Sequence, residues 1–230
     1  KSSIVEDMDL ITAQVEIPAV HLTATLETMG DAYRELGKLL GMEKEAAVLA
    51  DYCDEVYGQT KALAESIGEE KTSLLYCSGD DGLSVIARGS FHAELVDLLG
   101  HNVAVMDNVT SKGTGNLVDL EQLVLWDPDV IIFAPDSVYS SVADDQAWQE
   151  ISAVREGRYY EVPANPYNWM GFPPSVNRYL GMVWLAQLLY PEETGDDFRA
   201  EISRYYELFY HCALTEEQFH DLLADSLPRD

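Results

Sequence analysis

Apolar residues recur three and four positions apart along most of this chain, and short apolar runs bounded by Gly, Pro or Asp fall between them. Residues Ser2 to Ala13 place Ile4, Val5, Met8 and Ile11 on one side of a helix. Glu16 to Leu22 reads as a strand, near an edge or at its start because Pro18 cannot donate to a ladder. From Glu27 to Leu40 the set Met29, Tyr33, Leu36, Leu39 and Leu40 keeps helical period. Gly41 interrupts it, and Glu43 to Ile67 resumes with Ala46, Leu49, Ala50, Cys53, Val56, Tyr57 and Leu63. Together these are long for one globular helix, so the break predicts two helices end to end or one kinked helix. Beyond them, Lys71 to Cys77, Asn102 to Met106 and Val130 to Ala134 read as strands, and Phe91 to Leu99 and Leu117 to Trp126 as helices. Strands alternating with helices of this length predict parallel βαβ units, an α/β fold around a mostly parallel, Rossmann-like sheet.

The densest pattern lies between Trp148 and Pro191. Trp148, Ile151 and Val154 have helical spacing, Glu156-Gly157-Arg158 ends that helix, and Tyr159 to Val162 alternates as a short strand stopped by Pro163. Pro166 to Phe172 then mixes Tyr167, Trp169, Phe172 and Met170 with turn-formers, in a segment whose backbone belongs near the surface. Pro173 and Pro174 close this loop, and Ser175 opens the next helix. After Pro191 the pattern is all helical, over Phe198 to Tyr210 and Thr215 to Leu223. The second helix begins with a capping box, Thr215 at the cap and Gln218 three residues on.

Charge narrows the partners. Lys plus Arg number 14 against 41 Asp plus Glu, a formal charge of −27. A field of that sign repels phosphate backbones and anionic lipid heads, which argues against nucleic acid and against a surface-bound helix. No apolar run is long enough to span a membrane. The opening Lys1-Ser2-Ser3-Ile4 carries no Met, basic n-region or apolar h-region, which predicts a processed or trimmed product. Cys53, Cys77 and Cys212 are too few and too scattered for a disulfide framework or a zinc knuckle.

No catalytic signature declares itself. The chain has no Gly-rich phosphate loop with its Lys, no nucleophile elbow and no pair of histidines at helical ligand spacing. Gly113-Thr114-Gly115 is half of a dinucleotide fingerprint, with Val118 where the third glycine belongs, and reads as a turn. His21, His92, His101, His211 and His220 show no arrangement of a metal cage. What remains suits the holding of a ligand. Cys77 to Ser84 follows a strand and precedes Arg88-Gly89-Ser90 at a helix start, and in open α/β sheets the crevice beyond the carboxyl ends of strands is the usual ligand site. Asp80, Ser84 and Arg88 would meet Tyr167, Asn168, Trp169 and Arg178 there. Arg88 and Arg178 offer fork-like donors to an anion, or else pair with neighbouring carboxylates; Tyr167 and Trp169 offer flat apolar surface, unless Trp169 plugs the core.

Four segments in order carry a family resemblance: Ile17 to Leu22, the Leu36 to Gly41 stretch, Leu120 to Phe133 (LEQLVLWDPDVIIF), and the run from Trp148 to PSVNRYLGMVWLAQLLYP. Over about Glu16 to Pro191 the chain resembles the cluster A (class III, TroA-like) substrate-binding proteins of ABC importers, which collect ferric siderophores, haem, cobalamin and some metal oxyanions. The resemblance implies a remnant of a first lobe over 1–26, an inter-lobe helical bridge over 27–69, a second α/β lobe over 70–191 and C-terminal helices over 192–230, most of the first lobe being absent. It also implies a binding protein and not an enzyme, with no cofactor of its own and an iron chelate (siderophore or haem) as its ligand. Its place would be extracytoplasmic, in the periplasm or lipid-anchored on the cell surface, without inserting into the membrane. Its partner would be a membrane permease docked through Glu121, which otherwise is one more charge on an acidic helix. Two alternatives stand beside this reading. One is a molybdate or tungstate binder of the same fold, relying on Ser84, Ser90 and Asn168. The other is a nitrogenase-like cofactor or assembly subunit using the three cysteines.

Overall fold

A computed structural model describes residues 2–15, 17–110, 115–135, 137–171, 173–195 and 197–228. Gly113 and Thr114 of the half-fingerprint, and Phe172 of the aromatic loop, lie outside the described residues. The chain divides into two compact units, 1–55 and 56–230, each described by itself.

The first unit holds α1 (Ser2–Val15), α2 (Met29–Leu40) and the first half of α3 (Glu43–Ile67). Residues 17–25, expected to begin as a strand, run without regular structure. Pro18 lacks the donor a ladder needs, and no strand is described within this unit for the segment to pair with. The break at Gly41 is real: its φ of 68° is left-handed, and Met42 N–H bonds back to Gly37 O at 2.8 Å, a glycine-capped helix end. The chain turns there because α2 and α3 approach closely. A Cβ on Gly37 would stand 2.4 Å from Ala46 Cβ, and one on Gly30 would stand 2.0 Å from Asp54 Oδ1. Arg34, one turn from each glycine, bridges the pair by bonding Asp51 and Asp54, both at 2.7 Å.

The second unit is a six-stranded, mostly parallel sheet with helices on both faces, as the alternation predicted. Its strands are β1 (Ser73–Ser78), β2 (Ser84–Val85), β3 (His101–Asn102), β4 (Asn116–Leu117), β5 (Val130–Phe133) and β6 (Tyr159–Glu161), in the order β4-β2-β1-β5-β6 with β3 also on β1. β1, β5 and β6 run parallel in the register Cys77 beside Phe133 beside Glu161. β2 turns back antiparallel on β1. Side chains alternate across the sheet with period two. Leu75, Cys77, Ile131 and Phe133 face a core with Leu123 of α5 (Leu120–Trp126), Trp148 and the short α6 (Ser152–Arg155). Leu74, Tyr76, Val130 and Ile132 face the other side, where Gly100 closes α4 (Glu94–Leu99) so near that a Cβ there would meet Leu74 Cβ at 3.1 Å.

α7 (Arg178–Leu189) is buried all round, which is why its sequence shows no polar stripe. α9 (Phe198–Tyr210) covers it, after the single turn α8 (Pro191–Thr194), and Trp184 of α7 donates its indole N–H to Ser226 O at 2.7 Å. α10 (Glu216–Leu223) carries both halves of the expected capping box.

Asp127-Pro128-Asp129 ties four elements. Asp127 ends α5 in a left-handed conformation (φ 36°), and its carboxylate accepts from Ser152 N (2.8 Å) and Oγ (3.0 Å), capping α6 from a distance. Asp129 Oδ2 accepts from Ser73 N (3.2 Å) and Oγ (2.6 Å), which aligns the starts of β1 and β5.

The strand expected over Asn102 to Met106 is only His101–Asn102, the helix expected from Leu117 begins at Leu120, and the pattern misjudged three further places in this unit. Trp148 to Val154 is a 3-10 turn and a short helix broken at Ile151, because Asp127 caps at Ser152 and restarts the helix there. β2 and β4 were unforeseen, being two residues each and too short to show a period. The helix expected from Ser175 begins at Arg178, the Ser175 hydroxyl instead accepting from Asn177 N at 3.2 Å.

Candidate functional site

Parallel register places the carboxyl ends of β1, β5 and β6 side by side, and three loops leave from them, 79–83, 134–141 and 163–177. The first is a tight glycine turn. Gly79 (φ 83°) and Gly82 (φ 69°) bracket Asp80 and Asp81, Gly82 N–H bonds Gly79 O at 3.0 Å, and Asp81 Oδ1 accepts from Leu83 N. Ser137 from the second loop donates its hydroxyl to Gly79 O at 2.7 Å, so the two loops are fixed to one another. Asp80 lies exposed at the tip, and Ser84 is buried in β2 with its carbonyl accepting from Ser78 Oγ.

Arg88 goes elsewhere. Its guanidinium donates to Asn102 O (Nε at 2.7 Å, with Nη2 on the same oxygen) and lies 3.1 Å from His101 Nε2. Asn102 pairs with Leu74 near the amino end of β1, so the side chain is drawn back along the sheet, away from Asp80 and the strand carboxyl ends. Asn102 explains the anchoring. Buried to 1% exposure, its amide donates to Ile86 O and Asp97 Oδ1 and its Oδ1 accepts from Ala104 N, locking the turn that carries Arg88.

The third loop is built inward. Trp169 is 0% exposed; its backbone N–H bonds Pro163 O at 3.1 Å, and its indole N–H reaches Asn165 O at 3.4 Å. It therefore plugs the core, and among the described residues of the loop the aromatic left exposed is Tyr167, at 55%. Asn168 organises the turn: Oδ1 accepts from Met170 N (2.7 Å) and Gly171 N (3.2 Å), and Nδ2 donates to the Tyr76 hydroxyl of β1 at 3.2 Å. Burial pushes the Tyr76 phenol up to about 12, partly offset by the Asn168 bond. The Cys77 thiol is pushed up by the same cause, so it supplies no thiolate at neutral pH.

Loop and helix start meet at one corner. His92 Nδ1 lies 3.1 Å from Gly171 O, and Arg178, 3% exposed, places its guanidinium 5.1 Å from the centre of the Phe91 ring while bonding Glu94 Oε2 at 2.7 Å. Gly171 (φ 113°) is required here, since a Cβ would stand 3.0 Å from Arg178 Cδ. Two donors at this corner are unspent: Ser90 Oγ and Arg178 Nε are buried without a hydrogen-bond partner. Buried polar groups are nearly always bonded, so an unused buried guanidinium N–H marks donor capacity of the kind an anion takes up.

A second set of groups holds the loop from behind. Asn177, 1% exposed, donates Nδ2–H to Tyr167 O at 3.0 Å and accepts on Oδ1 from the hydroxyls of Tyr205 (2.8 Å) and Tyr210 (2.5 Å) of α9. Tyr206 donates to Asn165 O. A cavity of about 550 Å³ opens beside these groups, between Pro166, Leu214 and Leu222, with the exposed Cys212 on its wall.

The expected site set Asp80, Ser84 and Arg88 against Tyr167, Asn168, Trp169 and Arg178; the structure puts the last four on one loop and helix start, Asp80 on the glycine turn, Ser84 in β2 and Arg88 on Asn102, and the expected set did not include Phe91, His92, Glu94 and Asn177. A helix-start aromatic next to histidine was the one signal for them. Glu121 is exposed on the first turn of α5 behind its cap Asp119, with Leu125, 78% exposed, one turn further along the same face. None of the three cysteines is in a disulfide, and Cys53 and Cys77 are buried. Among the described residues no three His, Cys, Asp or Glu gather to hold a metal ion, and no helix is long and apolar enough to cross a membrane.

Comparison with known proteins matches residues 2–166 to the family described as periplasmic binding protein. The molybdate-binding protein MolA of Haemophilus influenzae is 30% identical over 165 residues, which cover 68% of this chain and 45% of that protein. This chain therefore spans under half the length of that curated relative. Among solved structures, an ABC transporter solute binding protein from Sulfurospirillum deleyianum superposes with a TM-score of 0.88 at 30% identity, covering 95% of this chain and 68% of that one. The MolA structure of Haemophilus influenzae bound to molybdate superposes with a TM-score of 0.68 at 20% identity, covering 91% of this chain and 70% of that one, a likeness of fold.

Proposed function

The chain belongs to the periplasmic binding protein family, and we propose that it is the solute-capturing part of an ABC importer, outside the cytoplasmic membrane, with a tetrahedral oxyanion of the molybdate class as its solute. The observation that carries the oxyanion reading is the Ser90–Phe91–Arg178 corner. A chain of charge −27 keeps this guanidinium buried where the loop after β6 meets α7, pairs it with Glu94, and leaves its Nε unspent. That atom is sealed from solvent, so an anion reaches it only through a local rearrangement of the surrounding side chains. The identity to a molybdate-binding relative supports the same choice. The burial of Trp169 removes the larger of the two flat surfaces that a haem or siderophore would use, and so weighs against the iron chelate. One observation favours a ferric chelate as a second reading: Tyr167 and Phe91 remain exposed, and both are aromatic.

The function is binding and hand-over without catalysis. Glu121 and Leu125, on one exposed face of α5, suit docking to a basic rim of a membrane permease, where a carboxylate on a rigid helix sets register. Titration calorimetry with molybdate, tungstate, sulfate and a ferric hydroxamate tests the solute. Arg178→Lys retains charge but loses the fork, and it should weaken molybdate binding by about tenfold or more, the size of one charge-assisted bond. Binding of the ferric chelate with none of molybdate would overturn the oxyanion reading.

A further inference from the structure

We infer that α9 positions the ligand-facing loop through Asn177, and that the tyrosines of α9 are positioning residues for Tyr167. This rests on the reading of that loop as ligand-facing. The segment 163–177 is long for a connection without regular structure, a length at which loops ordinarily move. Here its backbone carbonyls are held from α9 on both sides of Pro166. Tyr206 bonds Asn165 O, and Asn177 bonds Tyr167 O.

The direction of the Asn177 amide is fixed by its partners. A carbonyl only accepts, so the NH₂ faces Tyr167 O, and Oδ1 is left for the phenols of Tyr205 and Tyr210, which must donate. Two donors converge on one oxygen with two lone pairs, which saturates it. Removing either phenol leaves Oδ1 bonded; removing both leaves a buried acceptor bare and releases the amide. The expected response is therefore strongly non-additive. That pattern belongs to a shared acceptor and not to two separate packing contacts. The ring surfaces are retained in Phe variants, because Tyr205 stacks on Phe209 at 4.5 Å and packs edge-on against Tyr210 at 5.8 Å irrespective of the hydroxyls.

Hydrogen exchange of wild type, Tyr205→Phe, Tyr210→Phe and the double variant reads the loop without any solute. Each single variant should exchange the amides of 167–171 within about threefold of wild type, and the double variant at least tenfold faster, with the amides of β1 and β5 unchanged. Unchanged loop exchange in the double variant overturns the inference. So does a parallel rise in β1 and β5, which would make the phenols general stabilisers. Calorimetry with molybdate and with a ferric hydroxamate, repeated in a Tyr167→Ala background, adds the functional arm: for whichever solute wild type binds, the double variant should lower affinity when Tyr167 is present and leave it unaltered when Tyr167 is absent, and equal losses in both overturn the link. A loop that loosens as expected in a protein that takes up no molybdate would refute the oxyanion reading and leave the positioning by α9 standing.

Discussion

Replacing Gly181 by alanine sets two effects of opposite sign against each other. Gly181 lies in the first turn of α7, and glycine in a helix interior costs about 1 kcal/mol relative to alanine. On propensity alone Gly181→Ala should stabilise. The local geometry opposes this, since the new Cβ would stand 2.2 Å from Trp169 O, with Leu95 Cδ1 at 2.9 Å. Leu95 can rotate away. Trp169 O belongs to the backbone of the loop and is held by the buried indole and by the Asn168 turn, so α7 or the loop must move by about 1 Å to restore an ordinary contact. Overpacking of this kind costs about 1 to 3 kcal/mol, against about 1 regained from propensity. The net expectation is a loss of about 1 kcal/mol, a fall in Tm of about 2 to 4 °C for a chain of this size, together with faster exchange of the loop amides. Thermal unfolding followed by circular dichroism, with hydrogen exchange, checks both. A variant more stable than wild type would show that the close approach of α7 to the loop is not tight, and would refute the reasoning.

Trp169→Ala should cost about 3 to 5 kcal/mol, as for a large aromatic removed from a packed interior, measured by urea unfolding; a loss under 1 kcal/mol would contradict its plug role. Asp127→Ala removes the carboxylate that caps α6 and puts an ordinary residue at a left-handed φ, and should cost about 1 to 2 kcal/mol in the same assay, whereas Asp127→Gly, which fits the φ, should lose less. Alkaline stability follows from the tyrosines. Tyr76 is raised in the fold, as are Tyr206 and Tyr210, so the unfolded chain gives up these protons first. Stability is therefore fully present below about pH 10 and falls as pH rises toward 12. Tyr76→Phe should flatten part of that fall in pH-dependent urea unfolding; an identical slope would show the phenol is not protected.

The α/β order, the break at Gly41 and the capping box of α10 were legible because each depends on residues near one another in sequence: a period, a glycine, a Thr and a Gln three apart. The candidate site was half legible. Tyr167, Asn168, Trp169 and Arg178 share one loop and helix start, so their order already placed them together. Arg88 misled because its destination is decided by Asn102, which only the register of β3 on β1 brings within reach. Trp169 was undecided between surface and core, since a turn-rich segment is compatible with either, and the choice is made by Gly181 on a helix further along the chain. The strand expected to begin at Glu16, itself outside the described residues, shows the converse: among the described residues from Ile17 a good local pattern forms no strand, Pro18 lacking the donor a ladder needs.

The burial of Trp169 also has a spectroscopic consequence. The chain has four tryptophans, and this one alone belongs to the loop after β6, where its indole is shut away from water. A protein in which Trp126, Trp148 and Trp184 are replaced by phenylalanine would emit from the loop only, at short wavelength while the plug is seated. Any movement that admits water would shift that emission to the red, so the loop carries its own optical gauge.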